Sequence, residues 1–292
     1  NLSAVGTQPI IGTQILFKYK SFYGLIPLIA KNYIGYKNII KLSSKSYLEN
    51  PETSDPNCNL EDLVNNSEGI IVLTGSIKCM FGKLFNKGLF NEIEEILIKL
   101  KEKFENHIYI EIQRHNDLNE KEFENYNLIL SEKLELPIIA SNEVYYLDKD
   151  MFDAHDALMC IGEKTYINDA SRIKLSDHHY MKSSDEMIDL FKDLPEALEN
   201  NFNLPFRCSF KPNPSKPILP RISSSEKDSN ELLRQISNEG LKDKFKTVFD
   251  TDPINIENDK KYLKYKKRLD HEIKIIVEMN YSGYFLIVSD YI

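Results

Sequence analysis

Four consecutive apolar residues, Ile70-Ile71-Val72-Leu73, stand between Gly69 and Gly75. No other stretch limits the fold of this chain so strongly. A strand that is apolar on both faces has to be covered on both, and helices are the usual cover. The flanking sequence supplies them. Tyr36, Ile39, Ile40 and Leu42 open a helical pattern that runs toward Tyr47, and Ile93, Ile96, Leu97, Leu100 and Phe104 recur at helical spacing. Ile108, Ile110 and Ile112 then alternate with Tyr109, Glu111 and Gln113, which is a strand pattern. Phe123, Asn127, Leu130 and Leu134 mark a further helix before the strand Pro137-Ile138-Ile139-Ala140. Ahead of all these, Gly24 to Ile29 is a short apolar run in which Pro27 suggests an edge or irregular strand. The order β-α-β-α-β asks for an α/β fold with a mostly parallel sheet, open or closed as a barrel. Chemistry in such folds gathers at the carboxyl ends of the strands. Here those ends are Thr74 to Ser76, Arg114 to Asn116 and Ser141 to Tyr145.

The pattern changes from about residue 150. Met151 to Ile161 and Ser184 to Phe191 read as helices, the second opened by the capping box Ser183-Ser184-Asp185-Glu186. Pro205, Pro212, Pro214, Pro217 and Pro220 punctuate the strongest candidate domain boundary. Beyond it, Leu232 to Phe245 is helical and Thr251 to Asp259 reads as a loop. Tyr262, Tyr265, Leu269, Ile273 and Ile276 line one face of a last helix, and Tyr284 to Val288 is an apolar run.

Charge and composition remove several functions. With 37 Lys and Arg against 45 Asp and Glu, the net charge of −8 argues against a dedicated nucleic-acid coat. No run is long and apolar enough to span a bilayer, and no secretory leader opens the chain. Cys58, Cys79, Cys160 and Cys208 lie far apart with no CxxC pair, so reduced thiols in a cytoplasm are expected rather than structural zinc. The 292 residues begin at Asn1 and stop at Ile292 inside an apolar pattern, which reads as an internal piece of a longer protein.

Candidate chemistry is sparse. None of the six histidines forms HxH or HExxH. His115 follows a strand end, where a metal ligand projects, although a loop histidine held for structure is the plainer reading. His155 stands between Asp153 and Asp156 at a helix start, where acids complement the helix dipole. Glu143 follows the strand ending at Ala140, and a carboxylate there can hold a hard cation or act as a base. Lys260, Lys261, Lys264, Lys266, Lys267, Arg268 and Lys274 form the strongest basic patch, suited to phosphate contacts or to a solvated helix face. Walker, GxGxxG and GxSxG motifs are absent.

Ordered stretches of the chain resemble one family, the alpha subunits of bacterial DNA polymerase III. They include Gln8-Pro9-Ile10-Ile11-Gly12, Leu28-Ile29-Ala30-Lys31-Asn32 with Gly35-Tyr36-Lys37-Asn38, and Gly69 to Gly75. Glu111 to His115, Ile138 to Asn142, Asp153 to Leu158, Tyr180 to Ser183, Leu194 to Ala197 and Arg268 to Val288 continue the series. The resemblance implies that residues 1–207 are most of a polymerase-and-histidinol-phosphatase (PHP) domain, a distorted α/β barrel whose first strand lies upstream. Residues 208–292 would begin the polymerase palm, whose metal-binding aspartates lie beyond Ile292. Positions that hold metal in loaded PHP sites align with Gln14, Leu25 and Ser76, and an Asn-Asp-x-His motif reads Asn142-Glu143-Val144-Tyr145. Hence the site is expected to be degenerate, with no catalytic, cofactor or metal residue assigned in this chain. The implied parent enzyme is a DNA-directed DNA polymerase of a bacterial cytoplasm that uses Mg²⁺ held outside this segment. Its implied partners are primer-template DNA, dNTPs, a proofreading exonuclease subunit, the sliding clamp and other replisome subunits, with no membrane. The alternative is an active metal-dependent PHP 3′-5′ exonuclease using Glu143 and His115; a non-enzymatic scaffold is the third reading.

Overall fold

The computed structural model describes residues 5–50, 54–213, 226–249 and 256–292. It divides into two compact units, Asn1–Pro212 and Asn213–Ile292; part of the proline-rich boundary and most of the Thr251–Asp259 loop lie outside the described residues.

The first unit is built on one six-stranded sheet. The strands are β1 Gly12–Tyr19, β2 Phe22–Ala30, β3 Cys58–Asn59, β4 Ile70–Leu73, β5 Ile108–Ile112 and β6 Ile138–Ala140, in the order β3-β1-β2-β4-β5-β6. β4, β5 and β6 are parallel, as the β-α-β-α-β order requires. All residues of these three strands are buried. Their crossovers are helices α3 Met80–Asn86 and α4 Phe90–Phe104 between β4 and β5, and α5 Glu120–Leu134 between β5 and β6. α1 Tyr33–Leu48 and the short α2 Leu60–Asn65 precede β4. Ile93, Ile96, Leu97, Leu100 and Phe104, the stripe that defines α4, are all buried.

Two features depart from the sequence reading. The segment before Gly24 carries a strand of its own, β1, so the first part of the sheet is an antiparallel hairpin rather than a parallel strand. Its turn passes through Lys20 at φ 54°. β2 also runs antiparallel to β4, and lies between β1 and β4 rather than at an edge despite Pro27. Alternation of the ladder explains the exception. Ala30 N–H donates to Ile11 O on the β1 side, and Lys31 N–H donates to Gly69 O on the other. The nitrogen of Pro27 therefore faces β4, whose pairing with β2 covers only Leu28 to Ala30. The missing donor falls just past the end of the ladder, where no hydrogen bond is lost.

The start of α1 is pressed against the entry to β4. A Cβ on Gly35 would lie 1.7 Å from Gly69 O, and Gly69 itself has φ +72°. Neither position accepts a side chain without moving backbone. Asn32 caps the helix through Gly35 N–H.

After β6 come α6 Phe152–Gly162, α7 Ser184–Leu190 and α8 Pro195–Asn203. Ser183 and Glu186 form the expected capping box on α7. The second unit consists of α9 Glu226–Phe249, α10 Lys260–Glu278 and α11 Ser282–Tyr291. Asp259 caps α10 through the N–H groups of Lys261 and Tyr262. The apolar run Tyr284 to Val288 is thus helical, and α10 is not the last helix. Phe245 and Tyr262 meet edge-on at 5.3 Å and pack with Ile256 and Leu241 as the centre of this unit.

Candidate functional site

The carboxyl ends of β4, β5 and β6 converge, as the topology demands, on one buried polar cluster. Thr74 Oγ1 accepts from Glu111 N–H at 2.9 Å, and Ser141 N–H donates to Ile112 O at 3.0 Å, so the three strand ends are tied together. A later segment, Ser176 to Lys182, returns across these ends: Tyr145 N–H donates to His179 O and Met181 N–H to Tyr146 O.

His115 and His179 form the centre. Both are at most 1% exposed, and their rings stack at 4.1 Å with planes 1° apart. Glu143 N–H approaches His115 Nε2 at 3.2 Å, which leaves the proton on Nδ1, facing Glu120 Oε1 at 3.4 Å. Asn142 Oδ1 also stands 3.1 Å from that Nε2, and in this tautomer its donor is Lys182 Nζ at 3.0 Å. His179 Nδ1 lies 3.1 Å from Glu143 O, and its Nε2 lies 3.5 Å from Asp117 Oδ2. Lys78 Nζ reaches the same Asp117 oxygen at 2.6 Å. Burial pushes the Asp117 carboxyl upward, but the contacts with His179 and Lys78 outweigh it and hold the pKa down at about 2. Burial moves Lys182 the other way, below the usual lysine range.

Glu111 completes the cluster. It is 6% exposed, accepts from Ser141 Oγ and from Gln113 Nε2, and is pushed above the ordinary carboxylate range by burial. Tyr145 OH donates to Glu143 Oε1 at 2.9 Å, and burial followed by the Glu143 charge raises that phenol. Ser76 lies 3.5 Å from the Cys79 sulfur, whose thiol burial pushes up. Beside the cluster, Arg114 clamps three elements: it pairs with Glu124 on α5 and Asp193 beyond α7, donates to Leu190 O, and stacks over Phe191.

Of the residues singled out from sequence, His115 and Glu143 are brought together, and Ser76 lies at the neighbouring strand end. Gln14 is instead exposed on β1 opposite Pro27, and Leu25 is half-buried on β2 opposite Leu16. His155 packs against the rings of Tyr145 and Tyr146 at 5.6 and 5.2 Å, while Asp156 forms a bidentate pair with Arg172. Sequence reasoning passed over Asp117, His179, Lys78 and Lys182, which join the site only through loop returns. It placed Glu111 on the alternate face of a strand, and the available signal was that a carboxylate interrupts a strand otherwise flanked by covering helices. Among the described residues no three of His, Cys, Asp and Glu are placed to hold one metal ion. On α10, three members of the basic patch are paired within the helix: Lys266 with Asp270, Arg268 with Glu272 and Lys274 with Glu278.

Residues 1–115, which carry β1 to β5 and end at His115, match the PHP domain family. Residues 231–292 match the family described as bacterial DNA polymerase III alpha NTPase domain. Over 98% of its length the chain is 37% identical to the DNA polymerase III subunit alpha of Rickettsia bellii. It is 34% identical to that of Caulobacter vibrioides and 31% to that of Vibrio cholerae, again over 98% of the chain. Over nearly its whole length the chain corresponds to a segment of bacterial DNA polymerase III alpha subunits. It spans about a quarter of the length of these curated relatives. No helix among the described residues is long and apolar enough to cross a membrane.

Proposed function

We propose that this chain is part of a replicative DNA-directed DNA polymerase, and that its PHP unit is a structural and docking module rather than a hydrolytic centre. The observation that carries the second half is the charge accounting at the strand ends. A hydrolytic cluster of two or three divalent cations needs several ionised, uncommitted ligands. Here Asp117 is neutralised by the Lys78 ammonium, Glu143 is bonded to the Tyr145 hydroxyl, and Glu111 is biased by burial toward its protonated form. Lys182 brings a second ammonium to Asn142. The donors present do not fit such a cluster.

In the whole polymerase a primer 3′ hydroxyl attacks the α-phosphate of a dNTP with Mg²⁺ held outside this chain, and proofreading comes from an exonuclease subunit docked on the PHP unit. The sliding clamp and other replisome subunits join through the rest of the protein. The complete polymerase, purified alone and given a primer with a mismatched 3′ base, Mg²⁺ and dNTPs, is expected to extend slowly without first shortening the primer. Shortening before extension, or stoichiometric Mn, Zn or Fe in the purified protein, would favour an active phosphoesterase instead. Within α10, Lys267 has no pairing acid in its helix, so charge reversal there is expected to lower DNA affinity and flatten its salt dependence. An unchanged salt slope removes α10 from the DNA-binding surface.

A further inference from the structure

The start of β2 and helix α3 leave an open groove of about 470 Å³ between them, a surface the proposed function does not use. Its volume falls in the range of ligand-binding clefts, roughly 300–1,000 Å³. Phe22 and Tyr23 line it from the strand; Met80, Lys83, Leu84 and Lys87 line it from the helix and its carboxyl end. The spacing of these four, i, i+3, i+4 and i+7, puts them on one helical face. Met80 and Leu84 are buried and form the floor, while Lys83 and Lys87 are exposed at the rim.

The groove is formed before anything enters it, because α3 is pinned on both sides. A Cβ on Gly24 would lie 2.3 Å from Met80 Cα, and a Cβ on Gly82 would lie 2.2 Å from Ile77 O. Backbone meets backbone at both places, so α3 has no room to move in and close the cleft. Lys87 is steadied with its ammonium 5.0 Å from the centre of the Phe22 ring, and Asn86 Oδ1 accepts from Asn119 Nδ2 at 3.0 Å. A site that folding has already ordered loses little freedom on binding.

Charge and floor together select the occupant. The lining holds two ammonium groups and no carboxylate. Among the described residues neither Lys83 nor Lys87 forms an ion pair. At the adjoining hairpin turn, Lys20 already neutralises Glu95 at 2.9 Å. The rim is therefore basic on a chain whose net charge is −8. Single-stranded nucleic acid is held by a track of cations with its bases stacked on free aromatic faces. Here the floor is aliphatic, and both rings already carry a lysine: Lys87 over Phe22, and Lys18 over Tyr23 at 5.5 Å. An aliphatic side chain flanked by carboxylates matches the groove better on both counts.

We infer that the groove between β2 and α3 docks an acidic, apolar segment of a partner protein. An aliphatic side chain rests on Met80 and Leu84, and the neighbouring carboxylates meet Lys83 and Lys87.

The test titrates the full chain, labelled at its Met and Leu methyl groups, with a blocked hexapeptide of alternating Asp and Leu at low ionic strength. The same peptide with Asn for Asp, and an oligothymidylate, are titrated in parallel. Saturable binding that moves the Met80 and Leu84 methyl signals is the expected result, weakened roughly fivefold in the Lys83→Gln, Lys87→Gln double variant and likewise with the Asn peptide. Both lysines are exposed, and the remaining methyl signals report whether the variant keeps its fold. No saturable binding up to roughly 1 mM, or binding that ignores the double variant, overturns the site. Equal binding of the Asn peptide removes the role of charge and overturns the acidic segment. Movement of the same methyl signals by the oligothymidylate alone makes the groove a nucleic-acid surface instead. The outcome is independent of the primer-shortening assay, which reads the cluster at the strand ends.

Discussion

The two ends of β5 each place a histidine among charged groups, and they balance the charge in opposite ways. At the carboxyl end, His115 and His179 face Glu120 and Asp117, while Lys78 and Lys182 bring ammonium groups to the same cluster. At the amino end, His107 faces Lys31 and Arg207, and Glu105 is the acid that opposes them. The strand is the same, so the difference lies in what the chain sends back to each end. Loop returns after β4, β5 and β6 carry both signs of charge to one end; the turn after β2 and the segment leaving α8 bring one cation each, Lys31 and Arg207, to the other. Self-neutralisation favours rigidity, because buried polar groups that answer one another cost little and hold one arrangement. At the other end Lys31 and Arg207 each keep part of the side chain in solvent, which screens charge that the fold does not pair.

Removing the clamp beside the carboxyl end tests this contrast most strongly. Arg114→Met leaves Glu124 without its partner at a site where both side chains are less than a fifth exposed, and is expected to lower stability by about 3 kcal/mol in denaturant titrations. A loss near zero would mean that the end is not held by internal pairing.

Acid is the next lever. The folded-state pKa of Asp117, about 2, lies below the ordinary aspartate value of 3.8, so its contribution is fully present above about pH 4 and is lost as pH falls through about 2. That contribution is about 2 kcal/mol, and Lys78→Met should move acid unfolding to higher pH. If acid unfolding is unchanged in Lys78→Met, the neutralisation assigned to this pair is wrong.

Smaller effects sharpen the picture. Ser183→Ala breaks the capping box of α7, which anchors the segment returning to the cluster, at a cost of about 1 kcal/mol. Glu111→Gln is expected to go the other way. It removes a buried charge whose raised pKa disfavours ionisation in the fold, and at pH 7 stability should hold or rise by up to roughly 1 kcal/mol. A large loss at pH 7 would show that the carboxylate charge is itself needed there.

Periodicity carried the parallel half of the sheet. The apolar tetrad of β4, the stripe of α4 and the box at Ser183 each report a local rule, and each element stands where that rule puts it. Two elements escaped for identifiable reasons. β1 buries only alternate residues, Ile15 and Phe17, among polar neighbours, so its signal is diluted. Pro27 argued for an edge, yet one proline nitrogen facing the end of a short neighbour is compatible with an internal strand. At the site, strand ends could be located from the sequence because topology fixes them. Their partners could not, since Asp117, His179 and Lys182 reach the cluster through turns whose paths depend on tertiary packing. Both ends of the sheet therefore hide their electrostatics from a linear reading.

The short run from Pro205 to Phe210 has a mechanical consequence. It is held by Gln8 to the carbonyls of Pro205 and Cys208, by Ser209 to Lys31, and by Phe210 stacked on Tyr36 at 4.3 Å. Cys208, inside the same run, belongs to the buried cluster of Ile71, Leu73, Tyr109 and Ile139, and Arg207 donates to Tyr109 OH. A pull on the chain beyond Pro212 is therefore passed directly to the strands of the sheet, and the exit of the first unit is anchored rather than free to fray.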